Sequence, residues 1–515
     1  MGMTNRRKFL AGASGIALAA AGAPYLGLGT MAFGNEPQQG GRLSAAMVLE
    51  PASLDPIMGN AQGADRSVYN LFAENLLRQD SDGEFQPVLA ESWELAEDGL
   101  SITFRLRSGV TFQDGTPFDA EAVKFNLERV INPDLNSRMR SFLADLESVD
   151  VVDVLTARVN LARPSGPMLA MLANEPGSMV SPTAVAERGA DFARRPVGTG
   201  PYVINSWSAG QIEASRNEAY WGDRPNLDGV TIRTIANTAV KLVELKSGSV
   251  QLGDIVQVKD IEEIESDPKL TLMDTIQVIT SYVSFNNQSG VFAQNQMLRQ
   301  AVSHAINREA IEMAVSRGQG GVLRAFDPPQ SPSFDEAIQG HAYDPELAKQ
   351  EYAESGHTGE LTMVVIQRDP DTQIAQIIQA MCGEAGIPVR IEVLERLAWV
   401  ERVLNADYEF GLLRAAPPSP DPDMTYSNFY GRNAPNDYSH IKNPEIWDLV
   451  DEARGLSDMA ERRQVYSEIQ NKILDNYWQT YLFWRPQKEV ARVELQGFER
   501  EFCGAWRYNG MWLTA

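Results

Sequence analysis

The chain has 515 residues, 43% of them hydrophobic and 22% charged, a globular composition with length for roughly two to four domains. Its 69 acidic against 45 basic residues leave a net charge of −24, a surface that repels phosphate backbones and so argues against nucleic-acid binding. Two cysteines, Cys382 and Cys503, are too few for a disulfide framework and leave a single bridge as an open question.

Residues 1–34 read as a signal peptide of the twin-arginine type. Arg6-Arg7-Lys8-Phe9-Leu10 supplies the cationic start, and Ala11 to Gly34 carries no charge. Asn5 stands before the arginine pair, where Ser or Thr is more usual. Four glycines and a proline within Ala11–Leu28 make the stretch a poor membrane span. Cleavage fits after Ala32 or Gly34, and Ala21-Gly22-Ala23 also satisfies the small-residue rule. No cysteine lies near these sites, so the mature protein is expected to be soluble, periplasmic and free of a lipid anchor.

Further along, Arg42–Val48 looks extended and Arg66–Leu77 helical. Ser101–Leu106 alternates Ile102, Phe104 and Leu106 against Thr103 and Arg105, the pattern of a half-buried strand. Asp119 is placed to cap a helix bearing Val123, Leu127 and Val130 on one face. Extended stretches are expected at Val230–Ile235 and Gly253–Val256, with a short helix from Thr238 to Leu245 stopped by Gly248. Leu298, Val302 and Ile306 share a helix face. Asp344-Pro345 is a helix start and Gly356 its stop. Leu361–Ile366, Thr372–Ala385 and Val389–Val393 read as strand, helix and strand, which predicts a parallel crossover and an α/β fold. Asn443-Pro444 opens another helix, and Asp458–Asn476 is a longer one. Nothing after the leader resembles a membrane span.

The tools of catalysis are missing. There is no G-x-S-x-G elbow, P-loop or H-E-x-x-H. The four histidines, His304, His341, His357 and His440, are too scattered for a metal-ligand spacing. No catalytic residue, metal ligand or cofactor is therefore assigned.

From Val68 to Val130 the sequence carries an ordered series: Leu89-Ala90-x-Ser92-Trp93, Asp98-Gly99, Phe104-x-Leu106-Arg107, and Gly109-Val110-x-Phe112-x-Asp114-Gly115-x-Pro117-Phe118. It continues through Val197-Gly198-Thr199-Gly200-Pro201-Tyr202, Arg216-Asn217-x-x-Tyr220-Trp221, Val283-Ser284-Phe285-Asn286, Leu298 to Arg308, Asp344 to Ala348 and Asp421-Pro422-Asp423. This series resembles the peptide/nickel-binding family (family 5) of periplasmic solute-binding proteins of bacterial ABC importers, over residues 40 to 500. Much of it is explained by folding alone. Asp-Gly pairs suit turns, Gly198 and Gly200 suit unusual backbone angles, and Trp93, Phe104 and Trp221 are core-sized.

The resemblance implies a two-lobed periplasmic-binding-protein fold, type II-like, with an extra domain in the first lobe. The expected boundaries are 35–67 with 180–275 and 485–515 for lobe I, 68–179 for the extra domain, and 276–484 for lobe II. It implies a small solute enclosed between the lobes and delivered to a membrane permease, with the twin-arginine export machinery as a further partner. The solute is expected to be peptide-like or opine-like; an oligosaccharide or nickel chelate on the same fold, or a periplasmic enzyme or chaperone, are the alternatives.

Peptide binders of the family place an aspartate about three residues before the Asp-Pro-Asp motif. Here that residue is Pro418, which argues against ordinary α-amino recognition. Arg414 is a candidate fork for a ligand carboxylate, or else a surface arginine. Asp421 and Asp423 are candidates for a cation or hydroxyls, or else a self-capping turn around Pro422. Tyr426 and Tyr430 are candidate lining, or else core. Trp399, Tyr481 and Trp484-Arg485 are candidates for the cleft and its hinge side. His440, alone on its loop, reads as exposed.

Overall fold

The computed structural model describes residues 36–51, 53–59, 63–208, 210–415 and 421–514. The signal peptide at 1–34 and Pro418 with its neighbours 416–420 lie outside the described residues. Gln38–Ala515 form one unit, separate from Met1–Pro37.

Eleven strands make the main sheet. In chain order they are β1 (Arg42–Met47), β2 (Tyr202–Ser208), β3 (Gln211–Arg216), β4 (Gly229–Thr234), β5 (Leu252–Gly253), β6 (Leu270–Phe285), β7 (Gly321–Val322), β8 (Leu361–Ile366), β9 (Val389–Leu394), β10 (Phe410–Ala415) and β11 (Gln479–Arg492). Across the sheet the order is β9-β8-β10-β6-β11-β5-β1-β4-β3-β2, with β7 also on β11. The pairs β8–β9, β8–β10, β1–β5 and β1–β4 are parallel.

Two strands join the halves of this sheet. Leu270–Asp274 of β6 pairs with Lys488–Arg492 of β11, beside β5. Val278–Ser284 pairs with the other end of β11, while Thr280–Phe285 also borders β10. The ladder is irregular between Asp274 and Val278, so the break in pairing falls where the strands pass from one half to the other.

A separate antiparallel sheet contains Ala90–Leu95, Ser101–Leu106, Thr156–Leu161 and Leu146–Asp153 in that order. Ser101–Leu106 buries Ile102, Phe104 and Leu106 and turns Arg105 outward, as the alternation requires. The Ala120–Ile131 helix packs against this sheet. The Asp119 carboxylate accepts from the Ala122 N–H at 3.0 Å, and Val123, Leu127 and Val130 are buried. Each such side chain contributes roughly 2 kcal/mol of hydrophobic stabilisation.

Gly198 and Gly200 serve a different purpose from the one expected. Neither has a left-handed backbone; a Cβ on Gly198 would lie 2.1 Å from the Phe72 carbonyl oxygen, and one on Gly200 2.6 Å from the Phe72 carbonyl carbon. Close backbone approach, not dihedral freedom, requires glycine at both. Among the described residues no helix is long and apolar enough to cross a membrane. Cys382 and Cys503 are both buried and free.

In the half containing β8, β9 and β10, alternation along the strands divides the core between two faces. Phe410 and Leu412 of β10 and Val283 and Phe285 of β6 join α1 (Asp371–Glu384) through Ile374, Ala375, Ile378 and Cys382. Leu413 and Ala415 face the other side, in a cluster with Trp399, Tyr426, Tyr466 and Tyr481. The helices α2 (Arg396–Leu404), α3 (Pro422–Tyr430), α4 (Pro444–Gly455) and α5 (Met459–Asp475) supply that second cluster.

Candidate functional site

Strand pairing brings two distant arginines together. Arg414 on β10 lies opposite Ser281 of β6, and Arg485 on β11 lies opposite Ile279. Residues 279 and 281 point to the same face of β6, so their cross-strand partners do too. This is the face that α1 covers. Both arginines sit just past its apolar cluster, on the second-half side of the irregular segment in β6.

The carboxyl end of β8 completes the group. The chain leaves the strand after Ile366 and enters α1 at Asp371, with Arg368 between them. The Asp371 carboxylate is buried. It accepts from Arg368 at 2.9 Å through Nε and 2.6 Å through Nη2. Its other oxygen forms a close ion pair with Nη2 of Arg414. Nε of Arg414 is buried without a hydrogen-bond acceptor among the described residues. The Arg485 residue is 8% exposed, and no hydrogen bond or ion pair of its side chain is found among the described residues.

The electrostatics follow from this geometry. Burial draws the Arg414 guanidinium down to about 9, against the pull of Asp371. Burial lowers Arg485 as well, with Asp371 opposing and Arg368 adding to the shift. Two guanidiniums therefore hold one buried carboxylate at the amino end of α1, whose free N–H groups add positive potential, and Arg485 lies in the field of that carboxylate without pairing to it among the described residues. Such a group is undercompensated for charge, and an anion held in a bidentate fork restores the balance. Its position at the carboxyl edge of β8 and β10 is where open α/β sheets receive ligands.

The other expected site residues lie on the opposite face or inside it. Asp421 is the N-cap of α3, accepting from the Asp423 N–H at 2.8 Å. Its carboxylate also accepts from Arg462 at 2.8 and 2.5 Å. Asp423 is fully buried and accepts from Arg454 at 2.8 Å and Ser427 at 3.0 Å. Asp421-Pro422 thus opens a helix where the sequence suggested a turn. Tyr426 is buried, donates to Asp327 at 2.6 Å and stacks on Tyr466 with centroids 4.3 Å apart. Tyr430 and Tyr481 both donate to Oε1 of Gln479 at 2.7 Å.

Trp399, on α2, is buried edge-on to Tyr438, and its indole N–H has no acceptor among the described residues. Trp484 alternates with Arg485 and so faces the second cluster, where it is partly buried. The chain passes tightly against it at β7, since a Cβ on Gly320 would stand 1.9 Å from the Trp484 carbonyl oxygen. His440 is buried, not exposed, and its Nε2 lies 2.7 Å from the Val403 carbonyl. Among the described residues no group of three or more His, Cys, Asp or Glu side chains could hold a metal ion.

Of the expected residues, then, Arg414 joins the arginine cluster. Along the sequence Arg485 is marked only by its neighbour Trp484, and Arg368 and Asp371 belong to none of the motifs above. An Arg-x-x-Asp spacing between a strand end and a helix start is the one local signal that marks them.

Residues 84–437 match the family model described as bacterial extracellular solute-binding proteins, family 5. The probable D,D-dipeptide-binding periplasmic protein of Escherichia coli (strain K12) is 26% identical over 87% of this chain and 89% of its own. The glutathione-binding protein of Salmonella paratyphi A is 30% identical over 67% of each chain. Among solved structures, the ABC transporter-associated periplasmic binding protein DppA from Helicobacter pylori, with peptide STSA, superposes with a TM-score of 0.80. It is 25% identical and covers 93% of this chain and 99% of that one. The binding protein AgaA from A. tumefaciens R10, with agropinic acid, gives 0.78 at 25% identity, over 92% of this chain and 99% of that one.

Proposed function

Given that the chain belongs to the bacterial extracellular solute-binding proteins of family 5, we propose that it captures a carboxylate-bearing solute, peptide-like or opine-like, for an ABC importer. The fold is the two-lobed α/β fold of periplasmic binding proteins. The observation that carries the solute class is the pairing of Arg368 and Arg414 with a single buried carboxylate, Asp371, beside a nearly buried Arg485 that has no ion pair among the described residues.

In this reading β6 and β11 are the hinge, and the irregular segment at 275–277 lets one lobe turn on the other. Lobe I is 35–67 with 180–275 and 485–515, the extra domain is 68–179, and lobe II is 276–484, with Arg485 at the boundary, paired across the sheet to Ile279 of lobe II. Closure strips water from the solute, which makes each guanidinium contact stronger than it is in water. The closed form is handed to a permease and no bond is made or broken. Residues 1–34 send the protein to the periplasm through the twin-arginine machinery. Relatives named for dipeptides, glutathione and agropinic acid support a peptide-like or opine-like solute.

A thermal-unfolding screen of mature protein, refolded to strip carried solute, tests the proposal. The panel holds dipeptides, oligopeptides, opines, oligosaccharides and nickel chelates. A solute at 100 times its Kd adds about 2.7 kcal/mol to stability. Stabilisation by a carboxylate-bearing member is the expected result. Stabilisation only by neutral saccharides or by the chelates would overturn the solute class.

A further inference from the structure

Resting on the carboxylate reading above, we propose that the solute is an acid recognised without a free ammonium group: its nitrogen is acylated or absent, as in an N-acyl amino acid, a lactam acid or a sugar acid. The argument is an inventory of negative charge. A buried ammonium needs a carboxylate to meet it. The buried acids of this half already have partners: Glu351 pairs with His304 at 2.8 Å and Glu312 accepts from the Gly320 N–H at 3.2 Å. Asp371 holds Arg368 and Arg414. Asp421 holds Arg462, and Asp423 holds Arg454. Asp327 accepts from Tyr426 at 2.6 Å, Ser333 at 2.7 Å and Ser331 at 3.1 Å.

A second carboxylate in the field of Arg414 is Asp369. It is exposed on the rim, where an ion pair is worth little in water. Against this stands Arg485, 8% exposed and unpaired among the described residues. A primary ammonium carried close to the bound carboxylate would be pressed towards that guanidinium. Acylating the nitrogen removes the repulsion and leaves the carboxylate free to pair.

Calorimetric titration with matched probes decides the matter. The probes are L-alanyl-L-alanine, its N-acetyl derivative, the C-terminal amide of that derivative, galacturonate and glucosamine. N-acetyl-dialanine is expected to bind at least tenfold tighter than dialanine, and amidation is expected to abolish its binding. Galacturonate is expected to outbind glucosamine. Tighter binding of free dialanine, or undiminished binding of the amide, would overturn the inference and leave solute capture standing. Silence from every probe would also overturn it, while the wider stabilisation panel judges capture separately.

Discussion

Replacing Arg485 with methionine is expected to weaken solute binding by about 30- to 1,000-fold and to leave the ligand-free protein at least as stable as the parent. The two effects have one cause. Arg485 is nearly buried, and burial already pulls its guanidinium below the ordinary range. No acceptor among the described residues offsets that cost, so the ligand-free fold bears an unpaired cation. Methionine keeps most of the length and apolar contact of the stem while removing the charge. The solute loses a desolvated, charge-assisted contact, and truncating one side of such a pair costs about 2–4 kcal/mol. Titration calorimetry of Arg485→Met beside its thermal unfolding reads both quantities. Unchanged affinity, or a clear loss of ligand-free stability, would contradict this account of the residue.

Arg462→Met should do the reverse, lowering stability by about 3–5 kcal/mol with no direct contact to the solute. Arg462 is 1% exposed. It donates to both oxygens of Asp421 and, at 2.9 Å, to the Tyr466 hydroxyl. Asp421 in turn caps α3, so this one guanidinium ties the start of α3 to α5. Methionine would leave a buried carboxylate without its main partner, which is far costlier than losing both charges together. Urea unfolding of the single variant and of the Asp421→Asn, Arg462→Met pair separates these cases. The double variant is expected to recover part of the loss. A single variant within 1 kcal/mol of the parent would show that the pair does not hold this interface.

What the sequence made legible were local signals with a local cause. Asp344-Pro345 and Asn443-Pro444 each open a helix, with the first side chain accepting from the N–H groups of the first turn. Ser101–Leu106 and Leu361–Ile366 are strands with the bounds their patterns predict. Asp421-Pro422 carries the same cap-then-proline signal and opens α3. Two carboxylates flanking a proline suit a turn as well as a helix start, and the capping bond to Asp421 separates the two.

The site was less legible because register makes it. Arg414 and Arg485 are neighbours only because both flank β6 near Ser281. No spacing along the chain records that. Tyr426, Tyr481 and Trp399 illustrate another limit. A large aromatic with a polar tip suits a cleft wall and a hydrogen-bonded core equally well, and here Tyr426 and Tyr481 find internal acceptors in Asp327 and Gln479. His440 is a similar case. A histidine between helices looks exposed until the Val403 carbonyl that accepts it is in view.

The most direct test of the central claim is a crystal structure of the mature protein with its bound solute, purified without refolding so that a carried solute is retained. The account predicts a carboxylate of the solute within hydrogen-bonding distance of Arg485 and Arg414, enclosed where β6 and β11 pass between the halves of the sheet. A solute bound elsewhere, or one in this cleft that leaves both guanidiniums untouched, would contradict it.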